Sequence, residues 1–564
     1  MSTIDWIVMC FTLSAIVVYG MWKSRKTKDI HGFLLADRKL PWYHVGLSVM
    51  ATQASAITFL SAPGQAFSDG MRFLQFYFGL PLAMIVLCIT FIPIFRRLNV
   101  YTAYEYLEKR FDVRTRLFTA FLFLIQRGIS TGITIYAPSI VLSAILGVNI
   151  TYTTMVIGGV VILYTVYGGT KAVSHTQLFQ MCIIFFGLFC AAAMVISMLP
   201  ENIGFIDALH IAGKMEKLNL IDTHFDWNNR YNIWSGIIGG FFLQLSYFGT
   251  DQSQVGRYLT GESDRQSKLG LVMNGLVKIP MQFLILLIGV LVFVFYQFHQ
   301  QPVFFNKAEI TRIENSAYKN EFKVLEAEHA DVHNEKAAYL QQLNNGLSAN
   351  DQRLIDDSRD RLQAASAKEK GIRKSVTELM HKNDSAADTN DTNYVFLVFV
   401  TSFLPVGLVG LLIAIIFLAS MGSTASGLNS LASTTTIDIY KRLIRKNSTD
   451  HATLSVSRWS TAGWGIFCVI VGVYAGKMGN LLEAVNILGS LFYGTILGIF
   501  VVAFYLKRVQ GKAVFYAAVL TEACVAAAWY TDLLAFLWLN VFGCLMVVIL
   551  AWIFQVMTRR VNAT

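Results

Sequence analysis

Long apolar runs decide what this chain can become. A helix that crosses the hydrocarbon core of a bilayer needs about 20 mostly apolar residues. By that ruler the chain carries about thirteen runs: residues 4–21, 45–66, 74–95, 117–146, 153–167, 178–199, 233–250, 269–298, 403–431, 458–475, 481–506, 513–530 and 533–557. Backbone groups in lipid must be satisfied within the segment, so the runs read as helices. They are too long and too uniformly apolar for barrel strands. The composition agrees: of 564 residues, 54% are hydrophobic and 15% charged, and the mean hydropathy is +0.50. Soluble domains rarely look like this. The expected fold class is an all-α integral membrane protein.

The net charge of +10 raises the possibility of a nucleic-acid partner. Its distribution argues against one. Basic clusters fall at 23–28, 96–97, 109–116, 257–268, 441–446, 507–512 and 559–560. With about thirteen crossings and the N-terminus outside, each cluster lands in the cytoplasm, as the positive-inside rule requires. The C-terminus is then cytoplasmic. The first run has no basic segment before it and no clear cleavage site, so it reads as a retained helix. The seven cysteines all lie in apolar runs without CxxC spacing. They read as small packing residues, not disulfides or metal ligands.

Residues 300–393 break the pattern. "NEFKVLEAEHADVHNEKAAYLQQL" reads as a helix, "NNGLSAND" as a turn, and "QRLIDDSRDRLQAASAKEKGIRKSVTELMHK" as a second helix. Charges alternate along both, and one narrow apolar seam runs through them. The topology places this hairpin outside; long loops cross regardless of charge. It reads as an extracellular cap or as a docking site for a periplasmic or outer-membrane partner.

Three apolar stretches have the wrong composition for plain anchors. "SVMATQASAITFLSAPGQAFSDG" mixes Thr52, Gln53, Ser55, Thr58 and Ser61 with Pro63 and Gly64. A helix break in a membrane is tolerated where freed carbonyls find a cation or water, and discontinuous helices mark transporter sites. The same small residues also suit close helix packing. In "IAIIFLASMGSTASGLNSLASTTTIDIY", Ala419, Gly422 and Ser423 share one face at i, i+3, i+4. With carbonyls from Ala51 and Ala54, also i and i+3, such a face can form a hard oxygen shell for a small cation, or again pack closely. The third feature is the pair of intramembrane cations, Arg127 and Lys278. Buried cations usually face a cavity or a partner; Lys278 also suits a structural ion pair, and Arg127 is near enough to its cytosolic end to snorkel.

Taken together, "ATQASAITFLSAPG", "YTAYEYLEKRFDVRTRLF", "YAPS", "YTVYGGTKAV", "DQSQVGRYL" and "ASGLNSLASTTTIDIY" resemble the sodium:solute symporter family, in the family's order. That family carries glucose, proline, iodide, vitamins, monocarboxylates and sialic acid with sodium. The resemblance spans nearly the whole chain outside 300–393 and is nearest to the sialic acid and the vitamin, iodide and monocarboxylate branches. It implies a leucine-transporter-type core of two inverted five-helix repeats, the first helix of each broken at the midplane. The corresponding division is an extra helix and cytosolic loop (1–44), the first repeat and start of the second (45–299), the hairpin (300–393), the rest of the second repeat (394–506) and two C-terminal helices (507–564).

The resemblance also implies a sodium site at Ala51, Ala54, Ala419, Gly422 and Ser423. Relatives usually have two adjacent hydroxyl residues where this chain has Gly422 and Ser423, so one side-chain oxygen is missing. A second sodium site of some relatives uses an aspartate where this chain has Gln177, and two serines where it has Ala425 and Ser426. A second site is therefore expected to be absent. The implied solute residues are Gln53, Ser55, Thr58, Phe73, Tyr77, Ser130, Gln244, Tyr247, Lys278 and Asn486. Ser55, Thr58 and Phe73 follow the sialic acid pattern; Tyr247 and Lys278 follow the sugar pattern. Thr58 and Tyr77 replace a glutamine and a glutamate of the sugar branch. Ser130 replaces a carboxylate-binding arginine, but Arg127 lies one turn earlier and can grip a carboxylate in bidentate fashion.

The reading is a plasma (inner) membrane symporter that imports a small organic solute with Na+, preferably an acid such as a sialic acid, sugar acid or carboxylate. A neutral sugar or polyol is the alternative. Alternating access driven by the sodium gradient and the membrane potential is the expected mechanism. Proton coupling lacks an acid near the proposed site. A sensor lacks an output domain after Arg560. An enzyme lacks a nucleophile–base pair or metal-ligand cluster.

Overall fold

In the computed structural model, residues 1–24, 30–201, 203–385 and 387–561 are described. Most of the basic cluster at 23–28 and the side chains at 559–560 lie outside the described residues. The chain is helical: among the described residues the only strand-like feature is an isolated bridge between Leu40 and Gly261. Among the described residues, ten helices are long and apolar enough to cross a membrane.

After α1 (Thr3–Ser24), the opening polar stretch forms two helices, α2 (Trp42–Gln53) and α3 (Ala56–Asp69). Ala54 leaves the helical region (φ −80°, ψ 82°) and Ser55 is extended. The break thus falls before Pro63, which α3 contains. Gly64 has a packing reason: a Cβ there would lie 1.9 Å from the Thr392 carbonyl oxygen. Helix α4 runs through Leu80–Val86, a π turn at Leu87–Phe91 and Ile92–Arg97.

Helix α5 (Val113–Leu146) precedes α6 (Ile150–Ser197), whose 48 residues bend at Gly169 (φ 58°). The positive φ suits glycine. A Cβ at 169 would also sit 2.5 Å from the Phe33 ring. The second broken segment comprises α7 (Gly240–Thr250) and α8 (Gln252–Tyr258), parted by extended Asp251 (ψ 118°). This break lies one residue beyond the apolar run at 233–250. Helix α9 (Asp264–Phe298) packs along α2 and α3 and leads to the insert.

The insert is a hairpin of α10 (Lys319–Ala349) and α11 (Gln352–Asn383). Its turn is tighter than the expected "NNGLSAND": left-handed Asn350 (φ 54°) ends α10, and Asp351 caps α11. Leu340, Leu343, Ile355 and Leu362 form the buried seam. Lys336 and Glu369 meet across it at 2.7 Å, with His329 3.4 Å from Glu369. Burial pushes the Glu369 carboxyl up, but His329 and Lys336 outweigh it and hold the group at about 2. Arg373 binds Asp391 at 2.8 Å, and Asp391 accepts the Phe305 N–H at 2.8 Å, tying the hairpin to the membrane body.

Helix α12 (Leu408–Thr434) runs through the centre and continues as a π segment, Thr435–Ile444. Helices α13 (Asp450–Tyr474), α14 (Leu481–Tyr505), α15 (Gly511–Tyr530) and α16 (Phe536–Val561) complete the bundle. All seven cysteines are free. Cys468 and Cys544 pack inside, whereas Cys10 and Cys182 are exposed on apolar helices instead of filling the core.

Candidate functional site

At the first break, hydrogen bonding leaves several carbonyls without their helical donors. The Ser55 N–H donates to Gln53 O at 3.0 Å, not to Ala51 O. The Thr58 N–H donates to Ser55 O at 3.0 Å, not to Ala54 O. Ala51 and Ala54, the two carbonyl positions expected at the sodium site, are thus among those released, with Thr52, and both are buried. Such groups need another partner, and a cation is one. The break faces α12, where the hydroxyls of Thr52 and Ser426 meet at 3.0 Å. Ser423 lies on this helix, its hydroxyl donating to Ala419 O at 2.8 Å and so leaving its oxygen lone pairs free.

Gln177 on α6 ties these elements together. Its amide nitrogen donates to Gly422 O (3.2 Å), Ser426 Oγ (3.0 Å) and Thr52 Oγ1 (3.2 Å). Its oxygen accepts from Ser48 at 2.5 Å. The amide nitrogen therefore occupies a cage of three oxygens, and the side chain is fully buried.

Beside the break lies a polar-walled cavity. Gln53, Ser55, Thr58, Tyr77, Arg127, Ser130, Gln244, Tyr247 and Asn486 all line it. Two expected residues do not. Phe73 lies in the layer above, stacked on Phe76 at 5.3 Å and edge-on to Tyr231 at 5.4 Å. Lys278 sits behind Tyr77, its ammonium 5.6 Å from that ring. It has no hydrogen-bond partner, and neither do the side chains of Asn274 and Gln282, one turn away on either side. Ile57, Phe76, Gln126, Leu243, Leu482, Val485, Gly489 and Tyr493 also line the cavity.

The most consequential residue missing from the sequence reading is Asp251, at the second break. It is fully buried and ion-paired to Arg127. The Tyr493 hydroxyl donates to it at 2.8 Å and accepts from Arg127 at 3.1 Å. Asp251 also caps α8 through the Ser253 N–H at 2.8 Å. The sequence carries a signal for it: an acid directly after an apolar run calls for a cation, and Arg127 is an intramembrane one. The Arg127 Nε–H remains buried and unpartnered.

Two sets of specific contacts join the elements that flank the cavity. At the α8 end, Gln254 donates to the Tyr247 hydroxyl at 2.7 Å and Arg127 lies 5.5 Å from the Tyr247 ring. At the hairpin end, Asn480 donates to Gln65, and Arg230 pairs with Glu483 at 2.7 Å.

The sequence profile of the sodium:solute symporter family matches residues 33–318 and 378–521. The chain belongs to that family. As a family member it is a multi-pass, sodium-coupled solute transporter and not an enzyme. Similar chains include the sodium/sialic acid symporter NanT of Aliivibrio fischeri, 26% identical over 98% of this chain and 93% of that one. The human sodium/iodide cotransporter is 30% identical over 52% of this chain and 45% of its own. The solved substrate-bound, outward-open structure of a Na+-coupled sialic acid symporter shares the fold, with a TM-score of 0.76 at 23% identity, covering 99% of this chain and 98% of that one.

Proposed function

We propose that this symporter imports an acid-bearing solute, a sialic acid-like sugar acid or other carboxylate, with one sodium ion per cycle. The observation that carries the reading is the release of the Ala51 and Ala54 carbonyls at the break, beside a polar cavity with Arg127 in its wall. Sodium held by Ala51, Ala54, Ala419, Gly422 and Ser423 joins the first broken helix to α12. That shapes the neighbouring wall of Gln53, Ser55 and Thr58, so ion and solute raise each other's affinity. The Arg127 Nε–H, which has no internal partner, faces a carboxylate, with Ser130, Gln244 and Asn486 set for the remaining polar groups. The name of NanT supports the solute class.

The Gln177 amide supports the stoichiometry. It fills its oxygen cage with a neutral N–H donor, where a second cation would need a carboxylate. One sodium with one monoanion is electroneutral, whereas a neutral solute would carry one charge, worth about 2.3 kcal/mol per 100 mV. The internal pairing of Arg127 with Asp251 favours a second reading, a neutral sugar or polyol, because the guanidinium already has an anion.

We read thirteen crossings by dividing α6 at Gly169 and counting each broken pair once. The N-terminus and hairpin are then outside, in a plasma (inner) membrane. The inverted repeats start at α2 and α7. In the cycle, the contacts of Gln65 with Asn480 and Arg230 with Glu483 gate the outside, and those of Tyr247 and Arg127 gate the inside. The hairpin's inner face packs on the transporter body, so we read it as a cap.

A thermal-shift screen of purified protein tests the reading, crossing sodium or potassium with sialic acids, sugar acids, carboxylates and neutral sugars. A ligand of the native state raises apparent stability. Stabilisation by an acid only with sodium, abolished in Arg127→Ala, is expected. Stabilisation by a neutral sugar that Arg127→Ala leaves intact overturns the solute assignment.

A further inference from the structure

The missing hydroxyl at Gly422 has a structural counterpart on α6. A Cβ added at Gly422 would lie 2.6 Å from Oε1 of Gln180 and 3.6 Å from Cγ of Gln177. The Gln180 amide oxygen therefore occupies the space into which a residue-422 side chain projects. Gln180 is 1% exposed, and this oxygen has no hydrogen-bond donor. Buried acceptors without a donor are rare and costly, and each calls for a water, an ion or a functional role. The neighbouring Gln177 amide cannot supply a donor, since its nitrogen is committed to Gly422, Ser426 and Thr52.

The surroundings favour an ion. The Ala51 and Ala54 carbonyls have lost their helical donors. Ser423 and Gly422 sit one turn after Ala419 on α12. An amide oxygen is a hard, neutral donor of the kind that hard cations take. It replaces a serine hydroxyl without adding charge. We propose that Gln180 supplies an oxygen ligand to the transported sodium ion in place of the hydroxyl absent at Gly422. The inference rests on the sodium site described above and adds a residue from a third helix to it. Sodium then bridges α6 as well as the first broken helix and α12, and its loss to the cytoplasm frees three elements together.

The test is a sodium titration of the purified full-length protein at constant ionic strength, read as thermal stabilisation and as uptake in proteoliposomes. Gln180→Ala is expected to raise the half-saturating sodium concentration about tenfold, the effect of losing one oxygen contact of about 1.4 kcal/mol. Solute affinity at saturating sodium should be unchanged, which general damage to the bundle would not allow. The double variant Gln180→Ala/Gly422→Ser has room for a serine side chain and regains a hydroxyl. It should return to within about threefold of the parent. Gln180→Glu keeps the shape, adds a charge and should bind sodium more tightly; it also decides the matter if Gln180→Ala does not fold. Unchanged sodium dependence in Gln180→Ala or Gln180→Glu, or a double variant no better than Gln180→Ala, overturns the inference. A parent protein that sodium stabilises no more than potassium would instead overturn the sodium site itself.

Discussion

Asp251→Asn is the most informative perturbation of the cavity wall. Asp251 is fully buried, and its carboxylate faces Arg127, which is itself only 11% exposed at the side chain. Removing one member of a buried ion pair costs about 3–5 kcal/mol, because the survivor is left uncompensated. Asparagine keeps an acceptor for Tyr493 and Arg127, so the lower end, about 3 kcal/mol, applies. The solute-free protein should therefore show a clear fall in apparent melting temperature. Tyr493→Phe, which removes only a hydroxyl, should cost about 1 kcal/mol. The second half of the prediction concerns ligands. With Asp251 neutral, a solute carboxylate becomes the only anion available to Arg127. An acid-bearing solute should then restore most of the lost stability and bind about tenfold more tightly than to the parent, a gain of about 1.4 kcal/mol. A neutral sugar should do neither. Melting curves with and without sialic acid in saturating sodium, with equilibrium binding, measure both effects. The reasoning fails if Asp251→Asn melts with the parent, or if the acid stabilises the variant no more than the parent.

Gln177→Asp places a carboxylate against Thr52, Ser426 and Ser48, and should raise the sodium-to-solute ratio from one toward two; an unchanged measured ratio refutes the amide-cage argument. Lys278→Met should raise stability modestly, because it removes a fully buried ammonium that has no hydrogen-bond partner, and should leave solute affinity within about threefold, since the ammonium meets the cavity wall only at the Tyr77 ring; a large affinity loss would place Lys278 against the solute. In the hairpin, Glu369 is held down at about 2 against an ordinary 4.5. A depressed carboxyl stabilises above its unfolded value, and that stability is lost as pH falls through the folded one. Amide protection of α10 and α11 should thus weaken between about pH 4.5 and 2, and Glu369→Gln should already be weaker at pH 7 with a smaller further fall.

Much of this architecture was legible because lipid leaves few options. Apolar runs of bilayer length located the helices, and basic clusters set the expected orientation. Small and hydroxylated residues in such runs pointed to the broken segment, and nine residues expected at the solute site do line one cavity. The position of the break was harder to read. Pro63 suggests it, yet a proline well inside α3 is tolerated, while Ala54 and Ser55 carry no local signal and the break there depends on the helices packed around it. The Arg127–Asp251 pair joins residues 124 positions apart, and spacing along one helix cannot reveal that. Lys278 is absent from the cavity wall because Tyr77 stands in front of it, which depends on packing and not on spacing. The hairpin turn closed tighter than its polar residues implied, because Asn350 alone supplies the left-handed cap.

The most direct test of the central claim is uptake of labelled sialic acid into proteoliposomes, with an inward sodium or potassium gradient, at zero and at inside-negative potential. One sodium carried with one monoanion predicts accumulation above equilibrium only with sodium, and to the same level at both potentials. Equal accumulation in potassium would contradict sodium coupling.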